Sequence, residues 1–194
     1  MKKILITGSS GFIGSNLTNE LIKNFEIFII LRKKNKKINK LLKKKNIIIY
    51  KNFLDLNEKI SRLKIDFVIH CATHYVKDHI ISDIQKLSES NILFGNVILE
   101  NLTKMEVKKF VNFTTVWENY NGKKNSPHNL YSFYKKSFSQ LMEFYEKKCK
   151  NTKFYNLMIA DTFGHNDKRK KIITVLKNNY KKSKVTNIVS KNLN

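Results

Sequence analysis

The chain has 194 residues, 41% of them hydrophobic, enough for one domain with a buried core and too few for two comfortable ones. Cys71 and Cys149 form neither a disulfide framework nor a metal-ligand spacing, and no apolar run approaches membrane-spanning or leader length, so a reduced cytoplasmic protein without a membrane partner or metal is expected. The formal charge of +23 attracts polyanions, with nine Lys or Arg in residues 32–45 and nine in 168–191, but it is almost all lysine and lacks the arginine and aromatic pattern of sequence-reading modules, so no specific nucleic-acid partner is expected.

Along the chain, Lys3 to Ile6 reads as a buried strand, and Ile13, Leu17, Leu21 and Ile22 fall on one face of a helix. Between them stand Gly8, Gly11 and Gly14. Glycine there tolerates positive φ and lets the backbone approach a pyrophosphate, while the following helix offers free N–H groups and its positive dipole end. The spacing is Gly-x-x-Gly-x-x-Gly, which differs from the common dehydrogenase fingerprint, so it is the strand before and the helix after that mark the loop as a dinucleotide site.

Glu26 to Leu31 reads as a second strand ending at Arg32, Ile38 to Lys45 as a short helix, and Ile47 to Tyr50 as a third strand followed by a loop at Phe53 to Leu56. Asp66 to Cys71 reads as a fourth strand, Ile81 to Leu102 as one long helix, and Phe110 to Thr115 as a fifth strand. A loop with the only proline, Pro127, leads to an amphipathic helix at Leu130 to Lys148, and Phe154 to Ile159 reads as a sixth strand. Apolar strands alternating with helices predict an α/β fold, a Rossmann-like doubly wound parallel sheet flanked by helices. The dinucleotide-binding domain is expected over 1–176, with 177–194 a basic tail or the start of a truncated substrate lobe.

Inside the amphipathic helix, Tyr131 and Lys135 stand at i, i+4 on one face. A cation beside a phenol favours the phenolate and makes the pair an acid/base centre, although in a lysine-rich chain the spacing also recurs by chance, at Tyr180 and Lys184. Thr114 and Thr115 end the fifth strand at its carboxyl edge, where open α/β sheets hold ligands. Thr115 precedes Tyr131 by sixteen residues; Thr114 takes its place if the strand end is shifted by one.

At these residues the chain resembles the extended short-chain dehydrogenase/reductase family of NAD(P)-dependent nucleotide-sugar epimerases, dehydratases and reductases. The carriers are Thr7 to Gly14, Asp55-Leu56, His70 to Thr73, Asn91, Thr115, Tyr131, Lys135, and Asp161 to Gly164. The stretches Ala72 to Tyr75, Trp117 to Tyr120, Pro127 to Tyr131 and Asp161 to Lys171 are similar to the CDP-abequose synthase type of 4-ketosugar reductase within it. The resemblance implies a cofactor held by Gly8, Ser10, Gly11, Phe12, Ile13, Gly14, Arg32, Asp55, Leu56, Ala72, Tyr131 and Lys135. It implies proton transfer by Tyr131, a ribose contact and a lowered tyrosine pKa from Lys135, and a sugar oxygen positioned by Thr115. The substrate would be a nucleotide-linked sugar, CDP-linked in the reductase subgroup, and the partner a second copy meeting through the Tyr131 helix. Arg32 at the second strand's end suits a 2′-phosphate and so NADP; read as a surface cation it leaves NAD open.

Phe133 and Tyr134 replace the small residues that the family carries between its tyrosine and lysine, and the chain stops where relatives continue into a substrate lobe. Three readings follow: a nucleotide-sugar reductase or epimerase, a truncated dinucleotide-binding remnant without turnover, and a basic nucleic-acid binder. Lys, Asn and Ile excess is also what an AT-rich coding sequence gives, which weakens the third.

Overall fold

Six short runs rich in Ile, Leu, Val and Phe become six parallel strands; the first five are largely covered on both faces and have no polar side to present, while the sixth, at the sheet edge, is mostly exposed. They are β1 (Lys3–Thr7), β2 (Glu26–Leu31), β3 (Ile47–Ile49), β4 (Phe67–His70), β5 (Lys109–Thr115) and β6 (Lys153–Ile159), in the order β3-β2-β1-β4-β5-β6. This is the predicted doubly wound sheet. The computed structural model describes residues 1–164, 167, 169 and 171–186, leaving aside the side chains at 37 and 39. Strand order reverses at β1, which pairs with both β2 and β4, so the chain leaves the carboxyl ends of β1 and β4 in opposite directions and opens a crevice there.

The β1 side chains alternate between two cores. Leu5 lies with Leu56, Ile60, Val68, Ile98, Phe110 and Phe138, while Ile4 and Ile6 lie with Ile27, Ile29 and Ile38 on the other face. Helix α1 (Phe12–Leu21) follows β1 as expected. The expected helix from Ile38 to Lys45 is shorter and earlier: α2 spans Lys36–Leu41, and a 3-10 turn at Lys44–Asn46 buries Asn46, whose amide donates to the Ile27 carbonyl at 3.1 Å.

Two departures from the sequence reading matter for the site. Phe53 to Leu56, expected as a loop, opens helix α3 (Phe53–Ser61). Asn52 Oδ1 accepts the Asp55 N–H at 2.9 Å, the Asp55 carboxylate accepts the Lys51 N–H at 2.8 Å, and Leu56 and Ile60 bury one face. The expected single helix from Ile81 to Leu102 is broken into a 3-10 turn (Ile81–Asp83), α4 (Ile84–Ser88), a π-helical turn (Glu89–Leu93) and α5 (Phe94–Leu102). The wider turn buries the consecutive polar residues Ser90 and Asn91. Helix α6 (Leu130–Lys148) forms as expected, with Asn129 Oδ1 accepting the Ser132 N–H at 3.0 Å at its start.

The chain divides into two compact units, Met1–Ala160 and Asp161–Asn194. In the second, the Arg169 guanidinium holds the Asp167 carboxylate at 2.7 Å, keeping that carboxyl below its usual range, and Lys171 pairs with Asp161 at 2.6 Å. Helix α7 (Ile172–Lys181) spans residue 176, and residues 187–194 of the expected tail lie outside the described ones. Among the described residues no helix is long and apolar enough to cross a membrane.

Candidate active site

The glycine loop after β1 has no room for side chains. Gly8 sits at φ +68°, and a Cβ there would lie 2.7 Å from the Cys71 and Ala72 backbone at the end of β4. A Cβ on Gly14 would lie 2.3 Å from the Gly8 carbonyl oxygen. The Gly11 N–H donates to that same oxygen at 2.9 Å, closing the turn, and Gly11 brings no side chain to cap α1. The amino end of α1 therefore follows directly on the loop, with Ser10 exposed beside it. Gly14→Ala should cost roughly 1–3 kcal/mol, because backbone on both sides must yield. Thermal melts of the variant check this, and an unchanged midpoint would show that the loop adapts.

The β4 end is locked to this loop by Thr7. Its hydroxyl accepts the Ala72 N–H at 3.1 Å and shares a hydrogen bond with His70 Nδ1 at 3.0 Å. His70 lies among the rings of Phe94, Phe110 and Phe138, with centroids at 6.0, 6.0 and 5.0 Å. Burial pushes its pKa down to about 3, so it is a neutral spacer at physiological pH and no acid or base. The next segment is clamped by Asn91 from the π turn: Oδ1 accepts Thr73 Oγ1–H at 2.7 Å and the His74 N–H at 3.0 Å, while Nδ2 donates to the His74 carbonyl at 2.9 Å.

That clamp sets Thr73 near Tyr131 at the start of α6, where the Tyr75 ring meets the phenol edge-on at 5.1 Å. Tyr131 has its pKa raised above the ordinary phenol value, first by burial and further by Glu118 and Tyr75, with Thr73 opposing. Its phenol is thus protonated at neutral pH, which differs from the expectation that Lys135 lowers it. One turn on, Lys135 is buried without a hydrogen bond or ion pair among the described residues, and burial brings its pKa down to about 8 against the pull of Glu118 and Cys71. A buried cation without a partner, set near the ends of β4 and β5, is arranged to receive one.

Thr115 ends β5 at the rim of the crevice. Its Oγ1 accepts the Trp117 N–H at 3.3 Å, and its own N–H donates to Glu118 Oε1 at 3.4 Å. Glu118 is itself buried, which raises its carboxyl pKa, while the Thr115 N–H and Lys135 act the other way. The sequence signal for Glu118 is Thr115-x-x-Glu118, the spacing of the helical capping box that these two residues form. Thr114, the other candidate, alternates to the β5 face of Phe110 and Asn112 and is fully buried.

Three expected cofactor residues have other engagements. Arg32, exposed after β2, donates to Ser90 Oγ of the π turn at 2.5 Å, which leaves most of its guanidinium donors to face outward. Asp55 sits in the first turn of α3, its Oδ2 taken by the Lys51 N–H and by Lys59 at 2.8 Å, which together hold its carboxyl below the usual range. Leu56 is wholly buried in the core, and its N–H donates to the Asn52 carbonyl at 3.0 Å.

The chain is 29% identical over 173 residues to CDP-abequose synthase of Yersinia pseudotuberculosis, an alignment covering 88% of this chain and 59% of the relative. It is 39% identical over 126 residues to dTDP-D-glucose 4,6-dehydratase of Dictyostelium discoideum, covering 59% of this chain and 29% of that protein. The fold matches UDP-glucuronic acid 4-epimerase from Bacillus cereus, solved with NAD, at TM-score 0.76 and 21% identity, covering 94% of this chain and 64% of that one. UDP-glucose 4-epimerase from Thermotoga maritima, solved with UDP-glucose, also matches at TM-score 0.76 and 21% identity, with 97% and 66% covered. The chain thus spans less than two thirds of the length of the curated relatives, as the 59% figure states. The family model "NAD dependent epimerase/dehydratase family" matches residues 4–192, nearly the whole sequence, and the chain belongs to that family.

Proposed function

We propose that this chain carries the cofactor and proton-transfer part of an NADP-dependent enzyme that reduces or epimerises a nucleotide-linked sugar, with a CDP-linked 4-keto sugar as the substrate class. The observation that supports this reading is Lys135, buried one turn from Tyr131 on α6, with Glu118, which accepts the Thr115 N–H, acting on both. The loop fits a dinucleotide, since the bare backbone at Gly8 and Gly14 lets β1, the β4 end and the amino end of α1 pack directly together at the carboxyl end of β1. When bound, the dinucleotide supplies hydride exchange at a carbon of the sugar.

The protein's own share is binding and proton transfer. The α1 amides, with Ser10, Phe12 and Ile13, hold the pyrophosphate. Lys135 answers ribose hydroxyls with its unpartnered ammonium, Arg32 answers a 2′-phosphate, and Asp55 faces the adenine, while Leu56, wholly buried, only anchors that turn in the core. Thr115, whose Oγ1 already accepts the Trp117 N–H, keeps its hydroxyl proton to donate to the sugar oxygen. Tyr131 then gives its proton to that oxygen, and its raised pKa suits the acid role of a reduction better than the basic role. The same reading places the protein in the cytoplasm and pairs two copies along α6, where Phe133 and Phe144 lie on one helix face at 52% and 51% exposure.

Titration with NADPH and NADH, read by thermal shift with and without a CDP-linked sugar, tests the proposal. NADPH should raise the melting temperature more than NADH does, and Arg32→Glu should reverse that preference by about tenfold in affinity, since a guanidinium pairs with phosphate and a carboxylate with free ribose hydroxyls. No shift with either cofactor overturns the reading. A cofactor shift without NADPH oxidation by any supplied nucleotide sugar would support the second reading, dinucleotide binding without turnover.

A further inference from the structure

Of the three cations that follow β2, Arg32, Lys33 and Lys34, all exposed, Arg32 alone makes a side-chain hydrogen bond among the described residues. Its Nη2 donates at 2.5 Å to Ser90 Oγ, 58 residues on in the chain, and Ser90 is only 3% exposed. A surface cation needs no such anchor. Ser90 belongs to the π turn (Glu89–Leu93) and stands among buried Leu87, Asn91 and Phe94, so it is a rigid post for a side chain that water would otherwise leave mobile. The same turn holds Thr73 and His74 through Asn91, so one widened turn fixes groups at the ends of both β2 and β4. Between those strands lies β1, which ends in the glycine loop, and the Arg32 side chain therefore reaches across the mouth of the crevice. Its nearness to the β4 side shows again at His74, whose imidazole pKa is lowered by burial, Lys86 and Arg32 against Asp83.

We propose that Ser90 is a positioning residue for cofactor choice, which presets the Arg32 guanidinium to meet the 2′-phosphate of NADP. The inference rests on the reading of Arg32 as the phosphate-binding residue. A lysine ammonium is a point charge that meets a phosphate from any direction, whereas a guanidinium fork has to be turned toward it to bond through two N–H groups. Arg32 is the sole arginine among the nine cations of residues 32–45, and it is the one that is held. A bond from Nη2 leaves the Nε–H and Nη1–H groups for phosphate oxygens. Ordering a long side chain on binding costs affinity, and a side chain ordered beforehand escapes that cost. NADH, with free ribose hydroxyls, gains nothing from it.

The full chain and its Ser90→Ala variant are titrated with NADPH and with NADH, read by the change in nicotinamide fluorescence. Ser90→Ala should weaken NADPH about fivefold and leave NADH within about twofold of the parent. In an Arg32→Ala background the same substitution should change neither affinity. Ser90→Cys, which keeps the size and accepts a hydrogen bond only weakly, takes its place if the alanine variant fails to fold by circular dichroism. The role of Ser90 is overturned if both cofactors weaken equally, if NADPH is unaffected or binds more tightly, or if the loss persists without Arg32. The parent chain separates this idea from the one it rests on. A parent that binds NADPH no more tightly than NADH removes the NADP reading and the role of Ser90 together, whereas a parent that prefers NADPH, with that preference intact in Ser90→Ala, removes the role of Ser90 alone.

Discussion

Replacing Tyr131 by Phe is expected to slow NADPH-dependent reduction of the sugar by roughly 10²–10⁴-fold, the range for loss of a positioned general acid. The variant keeps the ring that meets Tyr75 and loses only the hydroxyl, and Thr73 retains its bond to Asn91 Oδ1, so the site stays assembled. Cofactor affinity and melting temperature should therefore stay close to those of the parent chain. Single-turnover oxidation of NADPH with a CDP-linked 4-keto sugar measures the rate, and thermal shift measures the rest. A variant that reacts at more than a tenth of the parent rate would remove Tyr131 from the proton-transfer role and point to Glu118 or a solvent path.

Replacing Lys135 by Met should stabilise the fold at neutral pH while weakening the cofactor. The folded pKa of about 8 lies below the 10.5 of an unperturbed lysine, so the unfolded chain holds the proton more tightly. Below pH 8 both states are charged, and the folded state bears the full cost of a buried ammonium. Between about 8 and 10.5 the unfolded state binds more protons and stability rises with pH; above that window the cost is gone. The size is on the order of 3 kcal/mol, at 1.36 kcal/mol for each pKa unit. In a chain this long that corresponds to roughly 5–10 °C in melting temperature. Denaturant titrations of both proteins across this range give a difference curve in which the other titrating groups cancel. The variant should be the more stable at pH 7, with the gap closing toward pH 10.5. Equal stability at pH 7 would mean that the ammonium is solvated or partnered in the fold. Less stability would mean that packing of the stem outweighs the charge.

Much of the sheet was legible because the strands are nearly unbroken apolar runs between polar breaks, which burial on both faces requires of β1 to β5, though β6 at the edge is mostly exposed. The glycine loop was legible for a similar reason: the spacing of Gly8, Gly11 and Gly14 only makes sense where backbone meets backbone, and the structure supplies those contacts at Cys71, Ala72 and Gly8 itself. Helix α3 was missed because Leu54, inside its first turn, points to solvent at 82% exposure and broke the apolar pattern, while the capping by Asn52 and Asp55 looked like loop composition. The π turn was missed because a 3.6-residue period assumes uniform winding, and a single widened turn shifts every later residue without changing the composition. That shift sets Asn91 on Thr73 and His74, and Ser90 on Arg32. Glu118 was overlooked because a lone acid after a strand is ordinarily a solvated group. Here burial of the strand end and the nearby Lys135 give it a different environment.

By itself the sequence determined the parallel α/β architecture, the glycine turn between β1 and α1, and the placing of Tyr131 and Lys135 on one helix face, because all three rest on local periodicity and spacing. Only the tertiary structure decided what those residues are worth chemically. Protonation of Tyr131, the lowered pKa of Lys135, the neutrality of His70 and the clamp on Thr73 follow from burial and from partners brought together by the sheet: His70 pairs in register with Thr7 and Asn112, far from it in sequence. Desolvation depends on everything that surrounds a group, and no spacing along the chain encodes it.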